Sequence, residues 1–140
     1  MRVSYLLSTP AVTCEPSDTL RTVAALMADR AVGSVVVVRN GTLAGIVTDR
    51  DIVVRGVATG LSADVAVERV MTRNVASVPI GADITEAAAT MGNRKVRRLP
   101  AVDMHGRVHG VISLDDVARH LGHQVDDLAG ILLARAPTHG

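Results

Sequence analysis

The sequence predicts an α/β (α+β) protein in which two βαββα units pack as one pseudo-twofold body. Three observations carry that reading. The chain matches its own second half: "TLRTVAALMADRAVGSVVVVRNGTLAGIVTDRDIVVR" lines up with "DITEAAATMGNRKVRRLPAVDMHGRVHGVISLDDVAR". In each copy an apolar pattern of helical period gives way to a short run suited to a strand. Each run then meets a turn signal and a returning apolar run, as in a hairpin. Self-similarity at a fixed spacing marks a duplicated structural unit.

The elements follow in order. "AVTCE" reads as an extended entry strand. Leu20, Val23, Ala24 and Met27 recur at i, i+3, i+4 and i+7, one face of an amphipathic helix. "SVVVV" (34–38) is β-branched on both faces, as expected of a strand buried on both. "RNGT" carries Asn-Gly, a strong hairpin signal, and "LAGIV" (43–47) returns. A short helix is predicted from about Asp49 to Arg55. The linker "GVATGLSADVAVERV" holds room for one short helix. The second copy repeats this order, with an entry strand at "VASVP", a helix near 83–94, strands at 99–102 and 108–112 around "DMHGR", and a helix at 115–121.

The offset between copies is 64 residues through the first helix, so Leu20 and Met27 align with Ile84 and Met91. After the hairpin it is 65, because the second copy has one more turn residue. Gly45 then aligns with Gly110, Thr48 with Ser113 and Asp51 with Asp116. A three-stranded sheet with helices on one side leaves a face open, so the two copies are expected to cover one another. The repeats are placed at 1–60 and 61–124. A C-terminal helix (Leu128 to Arg135) and a loose tail are placed in 125–140.

Composition narrows the function. The chain has 140 residues, enough for a sizeable core, and is 48% hydrophobic and 21% charged. It has no Trp, no Phe and one Tyr, so a surface that stacks nucleic-acid bases on rings is not expected. A net charge of +1 gives no electrostatic case for nucleic acid or a membrane surface. Fourteen of the 15 basic residues are Arg, a skew pointing to a GC-rich bacterial genome. Cys14 stands alone, which rules out an intrachain disulfide and a cysteine metal cage. Its expected place is a half-buried apolar site, against a redox-reactive thiol. No apolar run reaches membrane-span length, and "SYLLSTPAV" is too short for a signal peptide, so a cytoplasmic protein is expected.

Thr48-x-x-Asp51 and Ser113-x-x-Asp116 each close a strand and open a helix. As residue types they are capping boxes, in which a hydroxyl accepts from the N–H three residues on and an acid bonds back. A carboxylate at that position also suits a vicinal diol, and the two readings are compatible. "NRKVRRLP" (93–100) sets four basic residues ahead of a strand. Arg98 is the best placed to meet a phosphate, for which a planar guanidinium is suited. His105, His109, His120 and His123 lack a third ligand, so no metal site is expected. Asp115-Asp116 and Asp126-Asp127 are neighbours that diverge on a helix, and no nucleophile has an evident base, so no enzyme is expected.

The paired "GIVTDRD" and "GVISLDD", with "VRRLPAVD" and "MTRNVASV", resemble a tandem pair of cystathionine-β-synthase (CBS) domains, a Bateman module. The resemblance runs from about Leu6 to Leu121. It implies two clefts related by a pseudo-twofold axis, a disc-like homodimer, and binding of AMP, ADP, ATP or S-adenosylmethionine. It implies that the motif acid bonds the ribose hydroxyls, the Thr or Ser lies near ribose or phosphate, and basic residues take phosphates. Carried over, that selects Thr48 and Asp51, then Ser113 and Asp116, with Arg98 for phosphate. Ser34 stands where the second copy has Arg98, so phosphate chemistry is expected to be stronger in the second copy. The alternative is a homodimeric interaction module with empty clefts. It would act through a protein partner and an exposed apolar face at Val117, Leu121 and Leu128–Leu133.

Overall fold

The computed structural model describes residues 1–121, so the C-terminal helix and tail expected in 125–140 lie outside the described residues. In the first copy β1 (Thr13–Cys14) leads to α1 (Leu20–Arg30), β2 (Ser34–Arg39), β3 (Thr42–Thr48) and α2 (Asp49–Asp51). The chain then widens into a π-helical stretch, Ile52–Val57, which carries the predicted short helix two residues further. The second copy has β4 (Val78–Pro79), α3 (Ile84–Arg94), β5 (Arg98–Val102), β6 (Val108–Ser113) and α4 (Leu114–Leu121). Each copy makes its own three-stranded sheet, ordered β1-β2-β3 and β4-β5-β6. In each, the entry strand runs parallel to the middle strand and the hairpin is antiparallel.

Local chemistry explains these boundaries. Thr19 caps α1 by accepting from the Thr22 N–H at 3.1 Å, and Asp83 caps α3 by accepting from the Thr85 N–H at 3.0 Å. Both helices end on a left-handed residue, Ala31 at φ 53° and Lys95 at φ 55°. Asn40 and Gly41 both have positive φ, 53° and 82°, the geometry that Asn-Gly favours in a two-residue hairpin. Val35, Val36, Val37 and Val38 are all buried, as a strand apolar on both faces requires. The α1 stripe is narrower than predicted. Leu20, Val23 and Met27 are buried but Ala24 is exposed, because an 11-residue helix rests on its sheet along i, i+3 and i+7 only.

The compact units do not follow the halves of the repeat. Met1–Ala11 packs with Ala76–Leu121, while Val12–Val75 forms the other unit. Thus the linker 61–75 completes the first copy, and the first residues of the chain complete the second. Two matched backbone bridges show why. The Thr72 N–H donates to the Ile46 carbonyl at 2.8 Å, and Ile46 returns the bond at 3.0 Å. Ser8 and Val111 do the same at 2.9 and 3.3 Å. Gly45 and Gly110 make room for these crossings. A Cβ on Gly45 would lie 2.7 Å from the Thr72 oxygen, and one on Gly110 would lie 2.8 Å from the Ser8 oxygen. Each unit has its own core. One gathers Leu20, Val23, Val35, Val37, Val47, Val67 and Val70, and the other Val3, Ile84, Met91, Leu99, Ile112 and Val117.

Candidate functional site

Each unit carries one corner where an edge strand turns into a helix, and the predicted site residues lie there. At the first corner Thr48 ends β3 in extended conformation and caps α2. Its Oγ1 accepts from the Asp51 N–H at 3.0 Å, and its own N–H donates to Asp51 Oδ2 at 2.9 Å. That reciprocal pair fixes the carboxylate, whose side chain is only 15% exposed. The other oxygen, Oδ1, lies 3.8 Å from Arg55 Nε one turn on. Arg55 also donates to the Val70 carbonyl at 3.3 Å.

The second corner uses the same parts with different wiring. Ser113 Oγ accepts from the Asp116 N–H at 3.2 Å and donates to Asp116 Oδ2 at 2.9 Å. Asp116 Oδ1 then pairs with Arg119. In both corners one carboxylate oxygen serves the cap and the other faces an arginine. An aligned pair of acceptors of this kind can grip two adjacent hydroxyl groups if the arginine yields.

The strand register brings the third predicted element to the second corner. Arg98 is the cross-strand partner of Ser113, and Ser34 is the partner of Thr48. Residues directly opposite share a face of the sheet. Arg98 therefore stands on the Ser113 side, exposed, and the first corner has a serine in that place. Among the described residues, neither Arg97 nor Arg98 has a side-chain ion pair or hydrogen bond. Thr48 and Asp51 form one constellation, and Arg98, Ser113 and Asp116 form another.

The sequence reading missed Arg55 and Arg119. Their spacing of four and three residues from the motif acids was the available signal, since side chains so spaced meet on a helix. It also placed Val117 on an exposed apolar face, but Val117 is fully buried in the second core and Leu121 packs against it. The face turned inward because α4 lies on α3. Among the described residues, Val53, Val54 and Val57, beyond α2, are apolar side chains left exposed. Leu128–Leu133 and His123 lie outside the described residues.

Cys14 is 6% exposed in the first core, and burial first, then Asp18 and Glu15, pushes its thiol up to about 12. Among the described residues no three His, Cys, Asp or Glu are grouped to hold a metal ion. None of the described helices is long and apolar enough to cross a membrane. His109 Nε2 meets Asp103 Oδ2 at 2.9 Å, and this contact foremost holds the Asp103 carboxyl at about 2.

The model of the CBS domain family matches the chain twice, over residues 3–57 and 67–123. This chain belongs to the CBS domain family. It is 35% identical over 116 residues to the CBS domain-containing protein YhcV of Bacillus subtilis (strain 168), spanning 83% of this chain and 82% of that one. Among solved structures it resembles the CBS domain protein PAE2072 from Pyrobaculum aerophilum complexed with AMP, with a TM-score of 0.78 and 25% identity over 92% of this chain and 99% of that one. It also resembles the CBS domain pair of protein MJ0100 in complex with 5-methylthioadenosine and S-adenosyl-L-methionine, with a TM-score of 0.75 and 26% identity over 89% and 98% of the two chains. The fold is therefore that of a CBS pair, with one βαββα repeat in each unit.

Proposed function

We propose that this chain is a regulatory, non-catalytic module that binds an adenosine-containing ligand such as AMP, ADP, ATP or S-adenosylmethionine. Asp51 and Asp116 take the ribose hydroxyls, Thr48 and Ser113 hold those acids in place, and Arg98 takes phosphate. The observation that carries the reading is the double occurrence of one corner: a hydroxyl, an acid three residues on, and capping bonds that pre-set the carboxylate. Two similar CBS proteins bind AMP and S-adenosyl-L-methionine, which supports the ligand class. Binding can alter the module only through unequal affinity for two of its arrangements, and a partner protein would read the result.

Isothermal calorimetry with AMP, ADP, ATP and S-adenosylmethionine tests this, paired with thermal melting. Ligand at a hundredfold its Kd adds about 2.7 kcal/mol of stability, a shift of several degrees. Asp51→Asn together with Asp116→Asn should abolish it. Absence of binding by all four at millimolar concentration overturns the reading.

A second reading draws on a separate observation. Val53, Val54 and Val57 are 58%, 45% and 68% exposed on one short stretch. Such a face suits a homodimer that acts through a protein partner. Light scattering at micromolar concentration decides it, since a monomer there would sink the dimer.

A further inference from the structure

The two corners carry opposite chemistry at one matched place, and we infer that they select different adenosyl ligands. The second-repeat corner prefers those with a phosphate, and the first-repeat corner prefers those without one or with a positive charge. The inference rests on the ligand reading above and adds to it which corner takes which ligand.

The two corners are joined in the same way. In each, the first helical N–H donates back to the carbonyl of the residue two before the middle strand's second position. Asp49 donates to Gly33 at 3.0 Å, and Leu114 donates to Arg97 at 2.8 Å. The residues around that shared bond differ. In the second repeat Arg97 and Arg98 lead into β5, and neither side chain has a partner among the described residues. The helix there begins with Leu114, which is buried and turned into the core. The Arg98 guanidinium, uncommitted and on the Ser113 side of the sheet, is a phosphate site in waiting.

In the first repeat Gly33 and Ser34 replace both arginines, and an acid replaces the leucine. The Asp49 carboxylate lies against Gly33, with Oδ2 at 3.4 Å from where a Cβ would stand. Asp49 thus stands within van der Waals reach of any side chain at position 33. Asp51 has its equal in Asp116, so what sets this corner apart is the Asp49 carboxylate, standing where the second repeat has the apolar Leu114. A dianion is repelled there, whereas a neutral nucleoside or a sulfonium cation is accepted. Arg50 and Arg55 are the basic side chains through which this contrast would fail, since Arg50 follows Asp49 directly and Arg55 Nε lies 3.8 Å from Asp51 Oδ1.

The test uses the full chain, adenosine, AMP and S-adenosylmethionine in calorimetry, at low and at high ionic strength. Asp51→Asn leaves the second corner intact. It should bind AMP over adenosine by roughly tenfold or more, a preference that salt weakens and that added Arg98→Ser removes. Asp116→Asn leaves the first corner intact, and it should bind adenosine and S-adenosylmethionine at least as tightly as AMP. If the Asp116→Asn protein still prefers AMP, or if Arg98→Ser leaves the AMP preference untouched, the inference is overturned while the ligand reading stands. If wild type binds none of the three, the ligand reading itself fails. Arg98→Ser alone in the wild-type chain is the guard against misfolding, since Arg98 is exposed and serine is the first repeat's own residue. It should lower AMP affinity and spare adenosine.

Discussion

Thr48 and Asp51 are bound to each other twice, once through each residue's backbone N–H, at 2.9 and 3.0 Å. The pair is therefore structural before any ligand arrives. Thr48→Ala removes the acceptor for the Asp51 N–H and should cost about 1 kcal/mol of stability. Urea unfolding checks this as a lower midpoint at constant slope. Thr48→Ser should restore most of the loss. An unchanged midpoint for Thr48→Ala would show that the cap adds nothing.

Gly45→Ala and Gly110→Ala should each destabilise by about 1–3 kcal/mol, since backbone oxygens stand in the way of the new methyl group. Gly81, with nothing within 4 Å of a Cβ, is the control, and Gly81→Ala should move the urea midpoint little.

The left-handed ends of α1 and α3 lead to the opposite sign. Ala31→Gly and Lys95→Gly relieve a Cβ clash at φ 53° and 55° and should stabilise by about 0.5–1 kcal/mol each. Paired thermal melts measure it, and a loss for both variants would contradict the strain argument.

Asp83 and Asp103 both sit at about 2 in the folded protein, held down chiefly by the Thr85 hydroxyl and by His109 respectively. A carboxyl lowered by folding adds stability above its unfolded value, and that stability is lost as pH falls through the folded value. The acid limb of the stability curve should therefore fall between about pH 4 and pH 2. Asp103→Asn should flatten it in equilibrium unfolding followed by circular dichroism. An equally steep limb in the variant would remove Asp103 from the account.

Cys14 should be inert to thiol reagents in the native protein and react fully in denaturant, because burial keeps its thiol protonated at neutral pH. Rapid labelling of native protein with Ellman's reagent would refute this.

Much of this molecule was legible in its sequence, for identifiable reasons. Asn40-Gly41 and the β-branched run 35–38 act through local backbone preference, and the structure follows both. The aligned Thr48 and Ser113 are N-caps, where the hydrogen bonds lie within four residues. What stayed hidden depends on contacts distant in sequence. Nothing local in "MTRN" or "SYLLSTP" says which sheet the approaching chain will bridge. Gly45 and Gly110 read as ordinary strand glycines until Thr72 and Ser8 are seen against them. Arg97 and Arg98 were visible as charges, but their lack of partners among the described residues, and Asp49 lying beside Gly33, are facts of packing.

The crossed backbone bridges at Thr72 and Ser8 bear on how such a gene can be cut and joined. A breakpoint at 60/61 looks natural because it divides the duplication evenly, yet it would strip both units of the stretch that closes their sheets. Breakpoints at 11/12 and 75/76 would lift out a finished unit in one piece. Its counterpart becomes continuous once Ala11 is joined to Ala76. Recombination that respects folding would thus exchange 12–75 as a cassette, out of phase with the repeat it carries.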